Sequence, residues 1–140
     1  MGRHEQREQV FRLLFREEFH SVEEMPEQIR LYLEDTELAL GEKDADYIGQ
    51  RVIKIQDRIP EIDRIIEENT EGWDTKRMGK VELALLRLAC YEIKFDDDIP
   101  VSVAINEAVE LAKTSGQEAS GSFVNGVLSK IIKSEHETEQ

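Results

Sequence analysis

Arg3, His4 and Arg7 open this chain, and Lys76, Arg77 and Lys80 form a second basic cluster halfway along it. On a helix, the four-residue spacing of Arg3 and Arg7 places both on one face, where guanidinium groups can meet phosphates without disturbing a core on the opposite side. Further on, Phe123 carries a ring that could stack on an unpaired base, worth roughly 1 to 3 kcal/mol per base, or pack in a core beside Val124. The residue types leave both uses open, just as all six basic side chains would also suit an ordinary solvated surface. Asn125 and Gly126, beside that ring, read structurally: the glycine would allow close helix approach, and the amide would satisfy backbone groups of the preceding loop.

Bond-making chemistry finds little support. Glu92 and Arg87 stand in an apolar stretch and have the makings of an acid and an electrostatic clamp. A buried charge more often needs a structural partner, which neighbouring helix ends can supply. His4, His20 and His136 are scattered, with no pair one helical turn apart, so no metal ligand set is expected. Cys90, the single cysteine, has no identifiable base beside it and reads as core filler. There is no phosphate loop or nucleophile elbow. Neither catalytic residues nor a cofactor is expected.

Charge sharpens the nucleic-acid question. A net charge of −13 should repel RNA on average. Its distribution is uneven, however. Residues 1–16 carry Arg3, Arg7, Arg12 and Arg16 against only Glu5 and Glu8, whereas residues 17–71 hold six basic and seventeen acidic side chains. One end can therefore offer a modest basic surface while the acidic middle faces water or a cationic protein. With 39% apolar and 35% charged residues over 140 positions, the chain has the size and balance of one globular domain. Its apolar runs are too short for a bilayer, and the charged N-terminus excludes a secretory signal, so a cytoplasmic location is expected.

The elements that must position these residues read as helices throughout. A first helix is predicted over Arg3 to Phe19, with Val10, Phe11, Leu13, Leu14 and Phe15 inward. Ser21-Val-Glu-Glu24 has the form of a capping box ahead of a second helix running to about Leu40 and closed by Gly41 as a left-handed C-cap. Asp44 or Asp46 would open the third, with Ile48, Val52 and Ile55 on one stripe, and Pro60 would start a fourth carrying Ile62, Ile65 and Ile66. Thr70 to Thr75 is a break. The fifth helix, Lys76 to Phe95, is apolar around so much of its circumference that it belongs at the centre of the packing. Pro100 begins a sixth that buries Val101, Ala104, Ile105, Ala108, Leu111 and Ala112 and stops at Gly116; the last buries Val124, Val127, Leu128 and Ile131. The expectation is an all-α bundle of about seven helices over residues 1–133, with room for two sub-bundles separated near residues 60 to 75, followed by an acidic tail at 134–140.

Two blocks carry a family resemblance. Val103-Ala-Ile-Asn-Glu-Ala-Val-Glu-Leu-Ala-Lys113 followed by Phe123-Val-Asn-Gly-Val-Leu128 resembles the C-terminal half of the transcription antitermination factor NusB family. Val81-Glu-Leu-Ala-Leu-Leu-Arg-Leu-Ala-Cys-Tyr-Glu92, with Ile99-Pro100 after it, is similar to the family's central helix and the turn beyond it. The likeness runs from about Arg3 to Ile132 and is most specific over residues 81 to 131.

The resemblance implies a role in assembly rather than catalysis. NusB-like proteins hold the single-stranded boxA element of nascent transcripts with an arginine-rich N-terminus, the loop before the central helix and the start of the last helix. Here those places hold Arg3, His4 and Arg7; Lys76, Arg77 and Lys80; and Phe123. Glu5 interrupts the N-terminal cluster, which departs from the denser arginine runs of other members. The family also implies a partner, NusE, a small-subunit ribosomal protein, contacted near Phe15 and Glu82. The complex would tether boxA RNA to elongating RNA polymerase with other Nus factors and suppress premature termination in ribosomal RNA operons. The rival reading is an acidic helical interaction module, homodimeric or not, without direct RNA contact.

Overall fold

Apolar spacing of three and four turns most of this chain into helix. The structure, a computed structural model, describes residues 1–72 and 74–139, with side chains described up to residue 134. Trp73 in the predicted break, Gln140, and the side chains of the acidic tail from residue 135 onward, His136 included, lie outside the described residues. Among those described there are seven α-helices and two short 3-10 turns and no strand. The chain divides into two compact units, Met1–Asp57 and Arg58–Gln140. That boundary falls just before Pro60, slightly earlier than the predicted break.

In the first unit, α1 (Arg3–Arg16) passes into a 3-10 turn at Glu17–Phe19, α2 spans Met25–Leu33 and α3 spans Glu42–Gln56. Val10, Leu13 and Leu14 of α1 meet Ile48, Val52 and Ile55 of α3 in a core from which water is excluded. Gly49 lets α2 sit close on α3, since Leu33 Cδ1 stands 3.0 Å from where a Cβ would be. The Tyr32 hydroxyl donates to Gln9 Oε1, and the Arg16 guanidinium lies 4.8 Å from the centroid of the Tyr32 ring. The predicted capping box is present: Ser21 N donates to Glu24 Oε1 at 3.0 Å and Glu24 N to Ser21 Oγ at 3.3 Å. These bonds hold the Glu24 carboxyl below its ordinary pKa, the Ser21 backbone bond contributing most.

The second helix differs from expectation at its end. It stops at Leu33 rather than Leu40, and the left-handed residue is Ala39, with φ 50°, not Gly41. Gly41 is extended (φ −70°, ψ 161°) and serves as N-cap of α3, which therefore starts at Glu42 and not at Asp44 or Asp46. Leu38 and Leu40 are spaced like helix residues, but the Asp35 side chain accepts a bond from Glu37 N at 2.9 Å, a local turn that competes with helix.

In the second unit, α4 (Ile59–Glu68), α5 (Lys80–Phe95), α6 (Val101–Ser115) and α7 (Ser120–Glu139) pack together, with α5 touching each of the other three. Every residue of α5 from Leu83 to Ile93 is buried. That agrees with its nearly all-round apolar character. The last helix buries Val124, Val127, Leu128 and Ile131 as its spacing predicts. On α6 the stripe is narrower than predicted, because Val101 lies in the first turn and keeps 37% of its surface exposed. The α7 backbone stays helical to Glu139, well past the predicted start of the tail.

Candidate nucleic-acid interface

The N-terminal basic residues sit on the first two turns of α1, where the unpaired N–H groups of the helix add a positive dipole. Arg3 and His4 are exposed. Arg7 is not: it retains only 9% of its surface. The expectation that Arg3 and Arg7 share an outward face is thereby corrected. Arg7, Val10, Phe11 and Leu14 are spaced three, one and three apart, which places the arginine on the flank of the core stripe, and all four are buried. Arg3 continues the same stripe but falls on the first turn, beyond the core. Arg12 is exposed and bonded to Glu8 at 2.9 Å, a pair of little energetic weight.

The second cluster lies before and at the start of α5. Lys76 and Arg77 stand in a 3-10 turn, Thr75–Arg77, rather than in the helix itself. Asp74 caps that turn by accepting from Arg77 N at 3.0 Å, and Glu67 accepts from the Thr75 hydroxyl at 3.1 Å, so the turn is tied back to α4. Lys80 is the first residue of α5. All three basic side chains are exposed.

Phe123 is half-buried and lines a cleft of about 300 Å³. Asn69, Thr70 and Glu71, at the end of α4, form one side, and Phe123, Gly126 and Lys130 of α7 form the other. The α4 side is built by capping bonds: Asn69 Nδ2 donates to the Ile65 carbonyl at 2.8 Å, and the Thr70 hydroxyl donates to the Glu67 carbonyl at 3.2 Å. Lys76, Arg77 and Lys80 are not among the residues that line it. Gly126 corrects the structural reading: nothing lies within 4 Å of a Cβ built there, so it serves no close helix approach and leaves the cleft open instead. Asn125 is exposed on the neighbouring position of the helix. Lys130 was not picked out from the sequence, although Phe123, Gly126 and Lys130 recur at intervals of three and four, which is one helical face.

The expected partner residues differ in setting. Phe15 is the middle of an aromatic ladder, 6.4 Å from Phe11 and 5.2 Å from Phe19, which itself is 56% exposed. Glu82 faces inward: its Oε1 accepts the hydroxyl of Ser120, a residue only 2% exposed, and that same hydroxyl accepts from Gln117 N at 2.9 Å. The carboxylate thus fastens the first turn of α7, three residues before Phe123. Arg87, weighed as an electrostatic clamp, is paired with Asp63 across α4 and α5, and Cys90 is fully buried. Among the described residues no group of three or more potential ligands could hold a metal, and no helix is long and apolar enough to cross a membrane.

Helices packed around an apolar α5, with a charged and aromatic cleft at the surface, define an all-α protein of the helix-bundle class. Residues 4–133 match the model of the NusB family. The chain is 49% identical over 132 residues to the transcription antitermination protein NusB of Lachnoclostridium phytofermentans, covering 94% of this chain and 99% of that relative. A solved structure of T. maritima NusB superposes with TM-score 0.82 at 34% identity, covering 100% of this chain and 99% of the other. A crystal structure of the antitermination factors NusB and NusE in complex with dsRNA gives TM-score 0.78 at 29% identity, covering 96% and 99%. This chain belongs to the NusB family of transcription antitermination proteins. Membership bears out the resemblance drawn from residues 81 to 131 and disfavours the rival reading of an interaction module without RNA contact.

Proposed function

We propose that this chain binds boxA single-stranded RNA together with NusE, and that the complex, with other Nus factors, holds the transcript to elongating RNA polymerase and suppresses premature termination in ribosomal RNA operons. The observation that carries this reading is the likeness, over nearly the whole chain, to a NusB seen with NusE and RNA. The match over residues 4–133 supports treating the two units as one functional domain. Arg3 and His4 would contact phosphates from α1, Lys76, Arg77 and Lys80 from the turn before α5, and Phe123 would stack on a base. Arg7 would act from behind, shaping the start of α1. The acidic stretch of residues 17–71 suits a cationic ribosomal protein, whose approach it would steer. Phe15, through its ladder to the exposed Phe19, would offer that partner an apolar contact, and Glu82 would act by fixing Ser120. The mechanism is assembly in the cytoplasm, with no bond made or broken.

Titration of labelled boxA RNA, with and without NusE and at two salt concentrations, tests the proposal. Binding should require NusE and weaken as salt rises, because phosphate contacts release counterions. Binding that ignores both NusE and salt would overturn it.

A further inference from the structure

Lys130, the one cation lining the Phe123 cleft, already has a partner. Its Nζ lies 2.7 Å from Glu71 Oε1, across 59 residues of sequence, and both side chains are exposed, at 48% and 82%. Glu71 reaches this position from a left-handed backbone, φ 47°, which costs a non-glycine residue about 1 to 2 kcal/mol. Gly72 beside it, φ 91°, is the residue for which such a turn is easy. An exposed ion pair offsets little of that strain, so the carboxylate at the cleft mouth is not explained by stability alone.

Resting on the reading of the cleft as an RNA site, we infer that Glu71 is a built-in counter-ion that occupies Lys130 in place of a phosphate and lowers the affinity of the cleft for RNA. An RNA phosphate entering beside Phe123 must displace the Glu71 carboxylate from Lys130. The exchange is easy, since both groups are solvated and one anion replaces another on the same ammonium. Its consequence is selectivity. An isolated phosphate gains little over the resident carboxylate, whereas a strand that also stacks a base on Phe123 gains the extra contact that makes displacement favourable.

The test is fluorescence anisotropy with a short labelled single-stranded RNA, NusE being held at saturating concentration, on wild type, Glu71→Gln, Lys130→Gln, the double variant and Phe123→Ala. Glu71→Gln should bind roughly two- to fivefold more tightly, the worth of an exposed pair expressed as affinity. Its log–log salt slope should steepen by up to about 0.7, one added single-strand phosphate contact. The gain should vanish in the Lys130→Gln background. No gain in Glu71→Gln, or the same gain with Lys130 absent, overturns the inference, the latter because Glu71 would then only repel RNA at a distance. Equal binding by wild type, Lys130→Gln and Phe123→Ala would instead remove RNA from this cleft and overturn the underlying reading with it. A circular-dichroism melt of each variant confirms that the folded state is retained.

Discussion

Arg87 grips Asp63 with two parallel bonds, Nε to Oδ1 at 2.9 Å and Nη2 to Oδ2 at 2.8 Å, joining α5 to α4 inside the second unit. Both side chains are largely withdrawn from water, at 10% and 18% exposure. A pair of this kind is costly to break and cheap to replace. Removal of one partner leaves the other charge poorly solvated. Asp63→Asn should therefore destabilise the protein by about 3 kcal/mol, while an apolar double replacement, Asp63→Leu with Arg87→Met, should recover most of that loss. Urea unfolding of the three proteins checks it, and a double variant less stable than Asp63→Asn would refute it.

Arg3 and Arg7 should separate in the same way that their burial separates them. Arg3→Ala removes an exposed charge, so RNA affinity in the NusE complex should fall and the salt slope should shrink by up to about 0.7 with melting unchanged. Arg7→Ala removes a side chain that is 9% exposed and buttresses the first two turns of α1. It should lower the melting temperature, and any loss of RNA binding should accompany that change. Thermal melts beside RNA titrations distinguish the two; equal effects of both substitutions on both readouts would contradict the assignment.

Where the sequence was legible, local rules and global packing agreed. The stripes of α5 and α7, the Ile48, Val52 and Ile55 stripe of α3, and the reciprocal bonds of Ser21 and Glu24 all follow from spacing within a few residues. Arg7 was misplaced because its charge masks its register on the core stripe. Gly41 was misread because the same residue type serves a C-cap and an N-cap, and the left-handed position went to Ala39 instead. The cleft was only half visible. Phe123 stood out by type, but the pairing of Lys130 with Glu71 spans 59 positions, and no periodicity relates residues on two helices so far apart.

Ser120 should prove a structural switch point for the cleft. Its buried hydroxyl donates to Glu82 and accepts from Gln117 N, so Ser120→Ala leaves the Gln117 amide and the Glu82 carboxylate without that partner. A loss of about 1 to 2 kcal/mol is expected. Amide exchange should quicken over the first turn of α7, and RNA binding should weaken through misplacement of Phe123. Glu82→Gln, which can still accept the hydroxyl, should keep slow exchange in that turn. Rapid exchange in Glu82→Gln, or unchanged exchange in Ser120→Ala, would show that the two residues do not hold the turn together.

The capping box sets a pH dependence whose sign is fixed. Glu24 is held below its ordinary pKa of 4.5 by the Ser21 bonds, so the folded state binds its proton less readily than the unfolded chain does. Stabilisation from this carboxylate is therefore fully present above the unfolded value and is lost as pH falls through the lower folded value. Lys130 lowers the Glu71 carboxyl in the same sense, and the two act in the same acid window. Ser21→Ala should abolish the Glu24 contribution alone, lowering the melting temperature by a small amount at neutral pH and flattening its decline below the ordinary carboxylate range. Melts of wild type and Ser21→Ala from neutral to acid pH supply the measurement. Parallel curves at every pH would mean that Ser21 caps α2 without help from the charge on Glu24.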